Sequence, residues 1–212
     1  MRIVRQLRAF TAAALWTGLV LQATDRVWAQ SPQGAPRADS SGITLNVDAA
    51  HSALRWTLGS TLHTVHGTFA MKSGSMQFDS ASGNASGEFV ADARSGKSGN
   101  EGRDRKMNGE ILESARFSEL VFRPEHVEGK VAAQGACNVR LQGKMLLHGS
   151  ENEITVPVQA AIDGGHWKGS AKFAVPYVQW GLKSPNTFLL RADPTVEIEL
   201  ELQGTVQAAT AQ

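Results

Sequence analysis

Apolar and polar residues alternate strictly along the C-terminal third of the chain. The clearest run is residues 195–202 (TVEIELEL), where every second residue is apolar and the residues between them are acidic. A period of two predicts a β-strand with one buried and one exposed face. The same alternation recurs in residues 137–141, 154–162 and 167–173. Several strands therefore turn an apolar row towards one interior, which a closed barrel or a sandwich buries best.

Shorter segments with strand-like patterns precede this region. They cover residues 43–47, 54–58, 62–69, 76–78, 85–91 and 119–122. Gly67 predicts a bulge or a close approach between backbones, which helps a sheet to curve. Because the connections are too short for crossover helices, we predict an all-β antiparallel barrel of about eight strands.

One segment departs from the strand pattern. Between Arg103 and Ala115, the apolar residues Met107, Ile111, Leu112 and Ala115 recur at i, i+4, i+5 and i+8. This spacing places them on one face of a short helix. We therefore predict one short helix inserted into the barrel.

The N-terminus has the composition of a secretory signal peptide. Residues 1–29 combine a basic start, an apolar stretch too short to span a bilayer, and a small-x-small cleavage site ending at Ala29. We therefore expect cleavage near Ala29 and a periplasmic or secreted protein. The polar composition of residues 30–42, rich in Pro, Ser and Gly, predicts a disordered leader, and the polar composition of residues 205–212 predicts a flexible tail. Residues 43–204 remain as a single barrel domain.

The net charge and the cysteine content limit which partners and which cysteine chemistry the protein can have. Loss of residues 1–29 removes four arginines and one aspartate, so the formal charge falls from +1 to −2. No basic patch remains to indicate a nucleic-acid partner. Cys137 is the only cysteine. It cannot form an internal disulfide, and its place in an alternating row favours a small buried apolar residue over a reactive thiol.

Three stretches resemble a known family. Residues 48–52 (DAAHS) followed by residues 65–69 (VHGTF) are similar to its opening pattern. Residues 103–107 (RDRKM), leading to ESARF at 113–117, resemble its central segment. The late hairpin pattern is matched by LQGKMLLHG at 141–149 with VPV at 156–158. Together they resemble the YceI-like family of exported bacterial lipid-binding proteins over residues 43–203.

The resemblance implies a lipocalin-like barrel that encloses a polyisoprenoid, such as a quinone or a polyprenyl phosphate. We therefore expect a soluble exported protein, not an enzyme, that sequesters or carries this lipid without a resident cofactor. Transient contact with a membrane would accompany loading. Pro176 departs from the family pattern, because it stands in a late segment where a strand is expected.

The inward rows supply the candidate ligand site. They mix Trp and Phe with small residues such as Gly169 and Ala171. Small inward residues leave room in an eight-stranded barrel, although the same rows would also suit a core that side chains fill. The predicted ligand-binding residues are Leu54, Trp56, Leu58, Val65, Phe69, Phe89, Val139, Leu141, Met145, Leu147, Val156, Val158, Trp167, Phe173, Trp180, Val196, Ile198 and Leu200.

Candidate contacts to a polar head group are His51, Arg103 and Arg105. The alternatives are a turn-capping role for His51 and a solvated helix start for the two arginines. No metal site is predicted, because His63 and His66 are three residues apart and point to opposite faces of a strand.

Two other classes of function remain as alternatives. A small outer-membrane barrel would also show alternating strands, but its apolar rows would face lipid. An exported hydrolase with an unrecognised site is the second, although GxSxG, GxGxxG, Walker and HExxH signatures are absent. The sequence does not specify the oligomeric state.

Overall fold

A computed structural model of the protein describes residues 42–132 and 134–208. The predicted signal peptide and nearly all of the predicted leader lie outside the described residues, as do the last four positions of the predicted tail.

Within these described ranges, nine strands form one antiparallel sheet that closes on itself. They are β1 Gly42–Val47, β2 Ala53–Leu58, β3 Val65–Asp79, β4 Ala85–Lys97, β5 Glu119–Glu128, β6 Gly135–Leu147, β7 Ser150–Asp163, β8 His166–Val175 and β9 Val196–Ala208.

These nine strands occupy eight positions around the barrel. β1 and β2 lie end to end between β3 and β9. The C-terminal half of β9 pairs with β1, and its N-terminal half pairs with β2. The 3₁₀ turn Ala49–His51 separates them, and the Asp48 carboxylate accepts a hydrogen bond from the amide of Ala50 at 3.1 Å. The prediction of an antiparallel barrel of about eight strands is confirmed.

The inserted helix is present, with different bounds from those predicted. α1 spans Glu101–Lys106 and continues as a π-helical turn over Met107–Ile111. The Asn100 side chain caps α1 by accepting from the amide of Arg103 at 3.0 Å. Glu113 has a φ of 47°, which a right-handed helix cannot accommodate. The chain therefore leaves the helix before Ala115, which is exposed rather than on the apolar face.

The prediction of a flexible tail is wrong for its first four residues. β9 continues to Ala208, and its last five residues pair with β1. The amide of Val206 also donates to the carbonyl of Gly165 at 2.7 Å. The composition of this segment is polar, which favours a disordered tail. The backbone N–H and C=O groups of β1 pair with those of β9, however, and this pairing keeps the segment in the sheet.

The two faces of the sheet explain the alternating sequence. On the outer face, Lys172 lies 2.6 Å from Glu197 and 2.9 Å from Glu199 across the β8–β9 pair. These hydrogen bonds raise the pKa of Lys172 and lower that of Glu199. Such exposed pairs add little stability. The acidic residues therefore keep one face in water, while the apolar residues between them face the interior.

Gly67 confirms the predicted close approach. A Cβ at this position would lie 2.3 Å from the Trp56 ring and 2.4 Å from the carbonyl oxygen of Lys97. The β3–β4 register shifts directly after it, between Thr68 and Ala70. The missing side chain thus lets the Trp56 ring lie against the backbone at a bend in the barrel wall.

Candidate functional site

The barrel encloses a cavity of about 590 Å³. This size falls within the range of about 300–1,000 Å³ that is usual for small-molecule sites. The wall is formed by the inward rows of all nine strands, together with residues from the helical segment and from the 176–195 loop. Nearly all of these side chains are apolar, so the site can bind a hydrocarbon but offers little polar recognition.

Most of the predicted ligand-binding residues lie on this wall. They are Leu54, Trp56, Leu58, Val65, Phe69, Phe89, Val139, Leu141, Met145, Leu147, Val156, Val158, Trp167, Phe173, Val196, Ile198 and Leu200. The small residues Ala160, Gly169 and Ala171 share the wall with the large ones. The interior therefore contains open space that side chains do not fill.

Three predicted site residues lie elsewhere. Trp180 packs against the cluster of buried residues near the end of β8 and does not line the cavity. The reason is that β8 ends at Val175 and the chain turns at Pro176, so the strand alternation does not reach Trp180. His51 is exposed in the 3₁₀ turn, with its Nδ1 2.7 Å from a carboxylate oxygen of Asp48. Arg105 points away from the cavity, 3.6 Å from Glu101.

Several wall residues are absent from the predicted set. Met76 and Phe78 follow the strand alternation and could have been included by the same rule. Met107, Ile111 and Leu112 form the predicted apolar face of the helix, which covers one end of the cavity. Tyr177, Leu182 and Leu190 come from the 176–195 loop, whose sequence has no period that would indicate an inward side chain.

One end of the barrel contains nearly all the polar groups of the wall. We call it the upper end. It contains the C-terminal ends of β2, β4, β6 and β8, together with the helical segment and the loops 59–64 and 176–195. Ser60, His63, Arg103 and Lys106 line the cavity from these segments. Within residues 42–132 and 134–208, Arg103 and Lys106 are the only wall residues with a permanent charge. The polar rim at this end is therefore cationic.

Hydrogen bonds hold Arg103 in place at this rim. Its Nε donates to the hydroxyl of Ser98 at 2.7 Å, and its Nη2 donates to the carbonyl of Ser98 at 2.9 Å. The Asp104 carboxylate accepts from the amide of the same Ser98 at 2.8 Å. The start of α1 is thus fixed to the end of β4, which sets the position of the guanidinium group at the cavity.

Tyr177 attaches the 176–195 loop to the barrel. Its hydroxyl donates to the carbonyl of Asp193 at 2.9 Å. Burial raises the pKa of the Tyr177 phenol, because the phenolate would lose solvation at this position. The neutral Tyr177 side chain therefore forms part of the cavity wall, and its hydrogen bond connects the beginning of the loop with its end.

Two tryptophans of the wall differ in how their polar atom is satisfied. Both are 5% exposed. The indole Nε1 of Trp167 donates to the carbonyl of Asn46 at 3.0 Å. The Nε1 of Trp56 is buried and has no acceptor among the residues that the structure describes. Trp167 thus connects β8 to β1, whereas Trp56 contributes only its ring.

The histidines are dispersed. His63 lines the cavity, whereas His66 is exposed and lies 2.9 Å from the Thr57 hydroxyl. In the described part of the chain, no group of three or more His, Cys, Asp or Glu is arranged to hold a metal ion. No helix in those same ranges is long and apolar enough to cross a bilayer.

Comparison with known proteins agrees with this geometry. The sequence pattern of the YceI-like domain matches residues 45–204, which is most of the chain. The chain belongs to the YceI-like family. Comparison with curated protein sequences gives no significant match.

Two solved structures share the fold of this family member. BcnA of Burkholderia cenocepacia is 18% identical, with a TM-score of 0.61 over 75% of this chain and 99% of that one. A polyisoprenoid binding domain from Saccharophagus degradans, implicated in plant cell wall breakdown, is 15% identical. Its TM-score is 0.59 over 77% of this chain and 98% of its own. At these identities the likeness supports the fold alone.

Proposed function

We propose that this protein binds one long apolar lipid chain inside its barrel and acts as an exported carrier or store. The observation that carries the proposal is the 590 Å³ cavity with an apolar wall and a cationic rim. A polyisoprenoid with a polar end group, such as a quinone or a polyprenyl phosphate, suits both features. The name of the Saccharophagus degradans relative points to the same ligand class.

Energetics favour reversible loading. Burying a chain of about forty carbons would gain roughly 30 kcal/mol relative to water, at about 0.8 kcal/mol per CH₂. This exceeds the practical ceiling of about 20 kcal/mol for non-covalent binding. The competing site for such a lipid is a bilayer, however, where the chain is already out of water. The hydrophobic terms nearly cancel, so fit and end-group contacts decide occupancy, and no covalent step or cofactor is needed.

The distribution of charge favours a water-facing barrel over the outer-membrane alternative. Arg55 on the outer face lies 2.9 Å from Glu201, beside the Lys172–Glu197 pair. A lipid-facing surface would carry apolar residues at these positions. We infer an exported protein that works in an aqueous compartment, in line with the predicted signal peptide.

A pair of substitutions on β8 tests the proposal. Ala171 lines the cavity between Val158 and Leu200, whereas Ala174 is exposed on the opposite face. Ala171→Trp should fill part of the cavity and abolish retention of a long-chain isoprenoid quinone, measured by native mass spectrometry. Ala174→Trp adds the same ring outside and should retain the lipid as wild type does. Equal retention by two folded variants would show that the lipid does not bind inside the barrel.

A further inference from the structure

The loops at the upper end contain three large apolar side chains that are each more than half exposed. Phe188 is 97% exposed, Leu189 74% and Leu62 63%. We call these three residues the apolar tip. Exposed Phe and Leu side chains grouped at one end of a barrel are unfavourable in water and mark an interaction surface.

Hydrogen bonds hold the tip in shape. The amide of Thr187 donates to the carbonyl of Leu190 at 2.9 Å, and the amide of Leu190 donates to the Thr187 hydroxyl at 3.1 Å. Phe188 and Leu189 therefore sit at the apex of a closed turn. This turn is bonded to the loop of Leu62, because the amide of Thr61 donates to the carbonyl of Arg191 at 2.9 Å.

The tip is continuous with the rim of the cavity. Leu190 lines the cavity directly after the exposed Leu189, and His63 lines it directly after Leu62. A surface that receives these apolar side chains would thus meet the cavity at its cationic end. Because the apolar tip lies next to the cavity, we relate it to the entry and exit of the ligand.

The charges beside the tip indicate the chemistry of its partner. The loops 59–64 and 176–195 carry Lys183 and Arg191 against a single acidic residue, Asp193. Arg103 and Lys106 of the helical segment line the rim itself, whereas the acidic residues of that segment, Glu101, Asp104, Glu110 and Glu113, do not line the cavity. Apolar residues beside basic ones suit an anionic lipid surface, where the apolar groups enter the interface and the cations meet head groups.

We propose that the apolar tip docks the barrel onto an anionic bilayer, so that the lipid chain passes between membrane and cavity without crossing water. This proposal rests on the proposed function, since the lipid that passes is the one the barrel holds.

A tryptophan placed in the tip tests docking directly. Phe188→Trp should show a blue shift in fluorescence with vesicles of equal parts phosphatidylcholine and phosphatidylglycerol, and quenching when those lipids are brominated. The control is Ala81→Trp, in the exposed turn between β3 and β4 at the opposite end. It should show neither effect. No blue shift at position 188, or equal shifts at both positions, would overturn the proposal.

A second variant separates docking from lipid binding. The double substitution Phe188→Ser, Leu189→Ser should lower the partition onto these vesicles by about tenfold or more, since two apolar groups no longer enter the interface. Its retention of quinone by native mass spectrometry should match wild type, because neither side chain lines the cavity. Unchanged vesicle binding, or a tip-dependent dimer in place of vesicle binding, would contradict docking. A tip-dependent vesicle interaction by a barrel that retains no lipid would instead refute the proposed function.

Discussion

The two wall tryptophans allow a matched test of the barrel's packing. Trp56 and Trp167 are equally buried, and Trp→Phe removes the same ring atoms from each. The loss of apolar contact is therefore nearly the same in both variants. They differ in the indole N–H, which is hydrogen-bonded in Trp167 and has no described partner in Trp56.

This difference sets the expected energies. Trp167→Phe removes a hydrogen bond to the carbonyl of Asn46, which costs about 1 kcal/mol net. Trp56→Phe instead removes a buried donor without an acceptor, whose burial costs about 1–3 kcal/mol. We therefore expect Trp167→Phe to be less stable than Trp56→Phe by about 2 kcal/mol or more, since the shared loss of ring contacts cancels.

Urea unfolding of delipidated protein measures the difference, because a bound ligand would itself stabilise the folded state. The two variants should share one slope with urea and differ in midpoint. Equal midpoints, or a higher midpoint for Trp167→Phe, would refute the assignment of the two indole environments. Wild type measured alongside supplies the reference for the shared contact term.

Three further predictions follow from single sites. Gly67→Ala should destabilise the barrel by about 1–3 kcal/mol, because its Cβ would meet the Trp56 ring, whereas Gly109→Ala, with nothing within 4 Å, should not; equal urea midpoints would contradict this. Burial raises the pKa of Tyr177, so the stability that it contributes is complete below the ordinary value of 10.0 and is lost as the pH rises above it. Tyr177→Phe should lack that alkaline loss in unfolding curves at increasing pH, and an identical pH dependence would show that the phenol does not titrate differently on folding. Phe173→Ala should weaken quinone retention in native mass spectra more than Trp180→Ala, because only Phe173 lines the cavity, and the reverse order would contradict the assigned wall.

The sequence predicted the barrel well because the side-chain period of a strand is fixed by the pleat. The run at 195–202 therefore indicates by its period alone that Val196, Ile198 and Leu200 face inward, and all three line the cavity. Period alone does not show whether inward side chains meet. The open cavity results from the spacing of strands around a closed sheet, together with small residues such as Ala171.

The errors have local physical causes. Continuing the strand pattern past Pro176, where the chain turns, wrongly predicts an inward Trp180. The spacing of Ala115 fits the apolar face of a helix, but the positive φ of Glu113 prevents the helical segment from reaching Ala115. Both features depend on backbone geometry that a pattern of apolar residues does not report.

The contribution of the 176–195 loop could not be predicted for a different reason. Tyr177, Leu182 and Leu190 reach the cavity from a segment without regular structure. Their positions depend on hydrogen bonds between distant residues, such as that from Tyr177 to Asp193. The turn between Thr187 and Leu190 exposes Phe188 and directs Leu190 inward. The sequence pattern does not predict this turn, so it does not predict the apolar tip either.

Native mass spectrometry of gently purified protein, followed by organic extraction, tests the central claim most directly. If the cavity holds a lipid chain, a fraction of the protein should carry an added mass that matches one extractable isoprenoid per barrel. Delipidated protein should regain such a mass on addition of a long-chain quinone or a polyprenyl phosphate. Protein that is reproducibly empty, and that shifts no mass with either lipid, would contradict the account.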